Sequence, residues 1–152
     1  MPVFVTRRAS RSPRLSKKVV AQLGEQMLVK LGVADSELSV LLCDDAGIGR
    51  INREHRGVDK PTDVLSFPQA EFERAETPVA GQSLLLLGDV VISLQTAQRQ
   101  AESRRRSLQD EVRFLLAHGV LHLMGHDHMN PDDKHRMKLR TAQLVRAAQL
   151  VS

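Results

Sequence analysis

The sequence predicts an α+β fold: a single small domain with a mixed β-sheet of about four strands packed by helices. Its length of 152 residues is about that of one domain. Its hydrophobic fraction of 41% is ordinary for a globular protein with its own core. Strand-like runs fill the first two-thirds, and helical patterns frame them and continue to the end. No linker or internal repeat divides the chain, so residues 1–152 are predicted to form one domain.

The first two-thirds of the chain alternates between the two kinds of element. In order, the pattern predicts a strand at VFVT (3–6), a helix from Leu15 to Leu31 that Gly32 ends, a strand at ELSVLLC (37–43), a short helix at 45–55 and a strand at VLSFP (64–68). The first helix is predicted from apolar residues at 3.6-residue spacing, namely Val19, Val20, Leu23, Met27 and Leu28. The strands are short apolar runs bounded by polar or turn-forming residues.

A predicted loop separates these elements from the strongest strand signal in the chain. The segment QAEFERAETPVAGQS (69–83) is acidic and contains Pro78 and Gly81, which predicts a loop. The run LLLLGDVVIS (84–93) is almost continuously apolar, as is typical of a buried strand. Gly88 and Asp89 interrupt it, which indicates a bulge or kink.

The last third is predicted to be helical, with recognisable start and stop signals. Ser107 and Asp110 form the pattern of a capping box that opens a helix through the first two histidines of HGVLHLMGHDH. Gly125 is expected to end that helix. Asn130 and Pro131, followed by two aspartates, indicate the start of the last helix.

Composition argues against a secreted or membrane-spanning protein. Cys43 is the only cysteine, which excludes an intrachain disulfide and fits a reducing cytoplasm, and its place in the apolar run LSVLLC predicts a buried, inert thiol. The basic N-terminus is followed by no apolar signal region. No window approaches the roughly 20 apolar residues that cross a bilayer. A cytoplasmic location without membrane contact is therefore expected.

The distribution of positive charge favours a polyanionic partner. The net charge is +4. Basic residues form three clusters: Arg7, Arg8, Arg11, Arg14, Lys17 and Lys18; Arg99, Arg104, Arg105 and Arg106; and Lys134, Arg136, Lys138 and Arg140. Taken singly, each cluster is most simply a solvated face, but three in a small domain favour RNA. There is no Trp or Tyr and there are four Phe, most of them expected in the core, so few rings are expected to stack on bases. Phosphate contacts and shape should therefore dominate over base readout.

The stretch HGVLHLMGHDH (118–128) carries the chemistry. Its histidines and glycine have the spacing of the zinc-peptidase motif H-E-x-x-H-x-x-G-x-x-H, with Gly119 where those enzymes carry their general-base glutamate. His118 and His122 lie four residues apart, so both side chains project from one helix face. A turn at Gly125 can bring His128 back as a third ligand.

These three histidines predict one zinc ion per chain. Three imidazole ligands leave a fourth position for water, as is typical of a catalytic site, and zinc lowers the pKa of that water to about 7. The missing glutamate argues against peptide hydrolysis. His126 and Asp127 are expected to support the site or to compete for the metal.

Three blocks of the sequence resemble the YbeY-type endoribonucleases, which are bacterial ribosomal-RNA maturation factors. HGVLHLMGHDH is similar to the family signature H-G-x-L-H-L-x-G-Y-D-H, with His126 in place of the tyrosine. INREHRGVDKPTDVLSFP (51–68) resembles the family's N-x-x-x-R-G-x-x-x-x-T-D-V-L-S-F-P, and LGDVVIS (87–93) its L-G-D-I-x-I-S. Together with their order and the chain length, the blocks extend the resemblance over nearly the whole chain.

The resemblance implies a zinc-dependent endoribonuclease that prefers single strands. Its role would be small-subunit ribosomal-RNA 3′-end maturation and ribosome quality control. By position, His118, His122 and His128 would bind the zinc, and Arg56 would lie near it; Arg56 and His118 are the expected catalytic residues. A guanidinium suits this place because phosphodiester cleavage builds negative charge.

The expected partners are single-stranded or ribosomal RNA and the small ribosomal subunit or its proteins. Arg56, Arg104, Arg105 and Arg106 are the expected RNA-binding residues. Two alternatives remain open at the level of sequence. One is a zinc metallopeptidase-like hydrolase, which the histidine spacing favours and Gly119 opposes. The other is a non-catalytic, zinc-stabilised module that binds RNA and assists ribosome assembly.

Overall fold

The computed structural model describes residues 3–8, 13–68, 86–125 and 131–148. Its strands and helices are, in chain order, β1 (Val3–Arg8), α1 (Lys17–Lys30), β2 (Glu37–Cys43), α2 (Asp45–Arg56), β3 (Val64–Pro68), β4 (Leu86–Ser93), α3 (Leu94–Ser103), α4 (Leu108–Leu123) and α5 (Pro131–Ala147). Each lies where the sequence predicts an element of its kind, although no end was predicted for α3 within the helical last third; the other bounds differ by at most two residues where the ends are described. The predicted loop at 69–83 lies outside the described residues.

The four strands form one mixed sheet in the order β1-β2-β4-β3. β1, β2 and β4 run parallel to their neighbours, and β3 pairs antiparallel with β4 at the edge. The predicted α+β class with a mixed sheet of about four strands is confirmed. The predicted irregularity in the last strand is also present, one residue earlier than expected: Glu37 pairs with Leu86 but Leu38 pairs with Gly88, which leaves Leu87 as the extra residue of a bulge.

Helices cover both faces of the sheet. The larger core lies between α1, α4 and α5 and one face, where alternate residues of β2 and β4 such as Val40 and Ile92 are fully buried. On the opposite face, Ile48 of α2 packs against Leu65 and Val91. Within the ranges that the structure describes, no helix combines the length and apolar character needed to span a membrane.

Cys43 belongs to the smaller core under α2. Its side chain is 2% exposed, and its Sγ donates a hydrogen bond to the carbonyl of Ile92 at 3.6 Å. Burial, together with the nearby carboxylates of Asp44 and Asp45, raises the pKa of the thiol to about 12. The thiol therefore stays protonated at neutral pH, which confirms the expectation of a buried, unreactive cysteine.

Only half of the predicted capping box opens α4. The Ser107 hydroxyl accepts a hydrogen bond from the Asp110 amide at 3.0 Å, as expected for an N-cap. The Asp110 carboxylate accepts a hydrogen bond from Arg113 at 2.7 Å, one turn further along the helix. Aspartate is one methylene shorter than the glutamate of a standard capping box, and here the pair with Arg113 replaces the return bond.

The middle of α4 lies unusually close to the sheet. A Cβ atom built on Gly119 would stand 2.8 Å from Val90 Cγ1 and 3.2 Å from Ser66 Oγ. The Ser66 hydroxyl uses this proximity, since it donates a hydrogen bond to the Gly119 carbonyl at 3.0 Å. Only glycine lets a helix backbone approach β3 and β4 this closely.

The close approach makes a stability prediction. In Gly119→Ala, the added methyl group must displace Val90 or α4, and overpacking of this kind costs about 1–3 kcal/mol of unfolding free energy. The matched control is Gly49→Ala in α2, where the nearest atom to a new Cβ lies 3.6 Å away. Because alanine favours helix by about 1 kcal/mol over glycine, that control should be neutral or stabilising. Urea unfolding measures both variants, and the gain in helix propensity applies to each; a Gly119→Ala protein as stable as Gly49→Ala would contradict the packing.

Candidate active site

One cleft brings together the end of α2, the edge strand β3 and the middle of α4. Its volume is about 700 Å³. His118 and His122 line it from α4, and Arg56 lines it from α2. Arg56 is more than 60 residues from the two histidines in the sequence, and all three were predicted to belong to the site. The structure thus gathers three of the four catalytic and metal-binding residues that the sequence predicts.

The two histidines of α4 converge on one point. Their Nε2 atoms lie 3.1 Å apart, and their rings meet edge to face with centroids 4.7 Å apart. Two imidazoles that each bind a tetrahedral zinc at about 2.0–2.1 Å have nitrogens about 3.4 Å apart. The observed spacing therefore fits a pair of ligands to one ion. Both side chains are half-buried, which leaves the nitrogens accessible from the cleft.

The third predicted ligand, His128, lies outside the described residues, as do His126 and Asp127. Gly125 is the last described residue before them, and it has a φ of 89°. This left-handed conformation ends α4 as the sequence predicts, because glycine adopts it without strain. In the described part of the chain, no group of three His, Cys, Asp or Glu side chains is placed to hold a metal ion.

Arg56 is held at the mouth of the cleft by the way α2 ends. Gly57 follows it in a left-handed conformation, with φ of 71°, and its amide bonds to the Arg53 carbonyl at 3.1 Å. The buried Asn52 side chain donates to the Lys60 carbonyl at 3.0 Å and so ties the following loop to the helix. Arg56 is exposed and forms no ion pair with any described residue, so its charge is available to a ligand.

Hydrogen bonds to Asp45 fix the other end of α2. The Asp45 carboxylate accepts hydrogen bonds from Ser93 and Thr96, both at 2.7 Å, and from Arg99 at 2.8 Å. Burial alone would raise the pKa of Asp45, but the hydrogen bonds from Thr96, Ser93 and Arg99 lower it below its ordinary value. The carboxylate is therefore ionised at neutral pH, and it holds α2 against the junction of β4 and α3.

Two of the four predicted RNA-binding arginines, Arg104 and Arg106, form ion pairs inside the protein. Glu111 is fully buried, and its carboxylate pairs with Arg104 at 2.9 Å and with Arg106 at 2.6 Å. Arg105 between them has a φ of 56°, a left-handed turn that lets both neighbours reach one carboxylate. Arg105 itself is exposed. The paired arginines compensate the buried charge of Glu111, which would otherwise be costly.

The same arginines contact the cleft through a phenylalanine. Their guanidinium groups lie 5.9 Å (Arg104) and 5.3 Å (Arg106) from the centroid of the Phe114 ring. Phe114 in turn stacks on His118, with centroids 6.4 Å apart and planes 22° apart. These contacts restrict the orientation of the His118 ring.

Sequence reasoning missed the residues that shape the cleft rather than act in it. Asn52 and Ser66 both belong to the block INREHRGVDKPTDVLSFP (51–68). Their side chains donate hydrogen bonds that connect the elements around the cleft, Asn52 to Lys60 and Ser66 to Gly119. Asp63 of the same block accepts from the Val64 amide at 2.8 Å and from Gln100 at 3.2 Å. The many polar residues of that block could have indicated these contacts. Nothing in the sequence indicates the buried ion pairs of Glu111, because an acidic residue in the first turn of a helix is common.

The cleft can be compared with known proteins. A family model described as "Endoribonuclease YbeY" matches residues 6–149. A protein of that name from Anaeromyxobacter sp. (strain Fw109-5) is 51% identical over 124 residues, which cover 82% of this chain and 60% of the relative. Another from Pelotomaculum thermopropionicum is 47% identical over 112 residues, which cover 73% of this chain and 71% of the relative. The chain thus spans less than two-thirds of the first relative's length.

A solved structure shares the fold. The solution structure of TM1509 from Thermotoga maritima superposes with a TM-score of 0.65 and covers 96% of this chain and 88% of its own. Its sequence identity to this chain is 21%, so the likeness concerns the fold alone. It agrees with the four-stranded mixed sheet and its surrounding helices.

Proposed function

The chain belongs to the YbeY endoribonuclease family, and from this premise we propose that it is a zinc-dependent endoribonuclease acting on single-stranded RNA. The proposed substrate is ribosomal RNA, in small-subunit 3′-end maturation and ribosome quality control in the cytoplasm. The observation that carries the proposal is the shared cleft, which is lined by a converging histidine pair and by an arginine that forms no ion pair with the described residues. A metal ion and a guanidinium can both stabilise the negative charge that develops in phosphodiester cleavage.

The proposed metal ligands are His118, His122 and His128, with one zinc per chain. The 3.1 Å spacing of the two Nε2 atoms supports the first two. The turn at Gly125 supports the third, since it redirects the chain just before His128. When bound, zinc supplies a Lewis acid for a phosphate oxygen and lowers the pKa of water. Phe114 stacked on His118 keeps that imidazole oriented, and Gly119 keeps the helix at a fixed depth.

Arg56 is proposed to stabilise the negative charge that develops on the scissile phosphate. Its planar guanidinium can meet two phosphate oxygens at once. The helix end that presents it is fixed by Asn52 and Gly57, so the charge is positioned before the substrate arrives. The cluster Arg104, Arg105 and Arg106 is proposed to attract RNA more generally. Even after Glu111 is counted, it leaves a net positive edge beside Phe114.

The geometry weakens the peptidase alternative. The position that carries the general-base glutamate in zinc peptidases is Gly119, and any side chain there would enter the space of Val90. A side chain at this position would project toward the sheet, so there is no space for the glutamate of a peptidase in this packing.

Metal content gives the first test of the proposed function. Purified protein should carry close to one zinc per chain, and His118→Ala, His122→Ala and His128→Ala should each lower occupancy sharply, because a two-imidazole site binds zinc far more weakly. His135→Ala serves as the control, and His126→Ala tests the competing histidine of the turn; both should leave occupancy nearly unchanged. Elemental analysis after gel filtration measures all five. Full occupancy in the His128 variant would show that this residue is not a ligand.

Turnover of an arginine variant gives the second test. Removing one preorganised donor to the transition state typically costs about 10²–10³ in rate. Arg56→Ala should therefore bind zinc and RNA almost as the wild type does but cut RNA about that much more slowly. Arg56→Lys should recover part of the rate, since an ammonium supplies charge without the planar fork.

The matched control is Arg53→Ala, an exposed arginine in the same last turn of α2 that does not line the cleft. It should keep the wild-type rate. Single-turnover cleavage with saturating enzyme compares the three variants, because differences in affinity drop out under that condition. A wild-type rate for Arg56→Ala would remove this residue from the chemistry.

A further inference from the structure

The cleft contains more aromatic surface than the sequence predicts. Phe67 and Phe114, two of the four phenylalanines, line it, although most were expected in the core. His55 lines it as well, and its ring lies 5.1 Å from the ring of Phe67 at an interplanar angle of 54°. The His55 side chain is exposed and Phe67 is half-buried. An exposed ring braced by a second ring at the mouth of a cleft is a feature that the metal chemistry does not use.

We propose that His55 and Phe67 form a platform on which one nucleobase of the bound RNA stacks. The proposal rests on the proposed function, because it assumes that the cleft binds RNA. It adds a base-binding subsite beside the phosphate-binding arginine. It adds one base contact to the phosphate contacts and shape that are expected from the sequence to dominate recognition.

The position of the platform matches the geometry of a nucleotide. His55 and Arg56 are neighbours in the last turn of α2, and both line the cleft. A nucleotide carries its base and its phosphate on the same sugar, so a chain whose phosphate meets Arg56 has a base within reach of the ring next to it. The two contacts together would hold the strand in register with the histidine pair.

The platform is also rigid on the side away from RNA. Phe67 packs against the buried cluster that contains Ile48, Leu65 and Val91, which fixes its ring. Among the described residues, no side chain forms a hydrogen bond with the His55 ring, so the ring edge is held by packing against Phe67 rather than by a polar partner. A ring that is already held loses little conformational freedom when a base stacks on it.

Phe114 is a poorer candidate for this role. One side of its ring is stacked with His118, and the guanidinium groups of Arg104 and Arg106 lie over it. Its contacts are therefore already made within the protein. The His55–Phe67 platform would also favour single strands, because a base that is stacked within a duplex has no free face to offer.

The test compares two RNAs that differ only in their bases. A short uridine oligonucleotide and a ribose-phosphate chain of equal length without bases carry the same phosphates. Affinities of the full-length chain with its metal are measured by fluorescence anisotropy, before cleavage accumulates. Stacking of one base is worth roughly a 5- to 150-fold gain in affinity. The wild type should prefer uridine RNA by a factor in that range.

Four variants assign the preference to the platform. His55→Ala and Phe67→Leu should lose most of the preference for uridine RNA while keeping their affinity for the base-free chain. His55→Tyr should retain the preference, because a phenol ring also stacks. Phe4→Leu removes an exposed phenylalanine on the opposite edge strand of the sheet, and it should behave as the wild type. Since His55 is exposed, its variants decide the question even if Phe67→Leu folds poorly.

The outcomes separate this proposal from the one on which it rests. If the wild type cuts RNA but shows no preference for bases, or if His55→Ala keeps the preference, the platform is wrong and the endoribonuclease proposal stands. Equal losses of affinity for both chains in His55→Ala would mean a phosphate contact, which also overturns the platform. If the wild type neither binds nor cuts uridine RNA, the proposed function itself fails and the platform fails with it.

Discussion

The contact of α4 with the sheet at Gly119 is the constraint on which the cleft depends. The missing side chain lets the helix backbone approach Val90 and accept a hydrogen bond from Ser66 on the edge strand. Because His118 precedes this residue and His122 follows it within one turn, the contact also fixes the height of both imidazoles above β3. The position that carries the catalytic glutamate in zinc peptidases is used for packing here. The same histidine spacing is thus combined with a glycine that contacts Val90 and Ser66 of the sheet.

The arginines at the cleft differ in whether their charge is used in ion pairs within the fold. Arg104 and Arg106 neutralise a fully buried glutamate and support the phenylalanine that stacks on His118. Without these two partners the buried charge of Glu111 would be uncompensated, so the arginines cannot be regarded as simple RNA contacts. Arg56 is the opposite case. It is exposed, it has no acidic partner among the described residues, and its helix end is held by the amide of Asn52.

Sequence patterns predicted the elements and the convergence of His118 and His122, because periodicity, caps and the spacing of residues on one helix face are local properties. The half-formed capping box shows the limit of local patterns. The Asp110 carboxylate bonds to Arg113, one turn further along the helix, and not to the residue that the capping box predicts. The pairing of Arg104 and Arg106 with Glu111 depends on a left-handed turn at Arg105, a residue type that rarely adopts one. The ring contact between His55 and Phe67 and the hydrogen bonds to Asp45 join segments that are distant in the sequence, so no local pattern predicts them.

The central claim is that this cleft cuts RNA by means of its metal and does not act on peptides. The most direct measurement assays metal-stripped and zinc-restored protein in parallel on single-stranded RNA and on casein, with circular dichroism and RNA affinity recorded for both. The account predicts that stripped protein keeps its fold and RNA affinity, loses cleavage, and regains it with zinc, while casein stays intact throughout. Full RNA cleavage by stripped protein, or cleavage of casein by the restored protein, would contradict it.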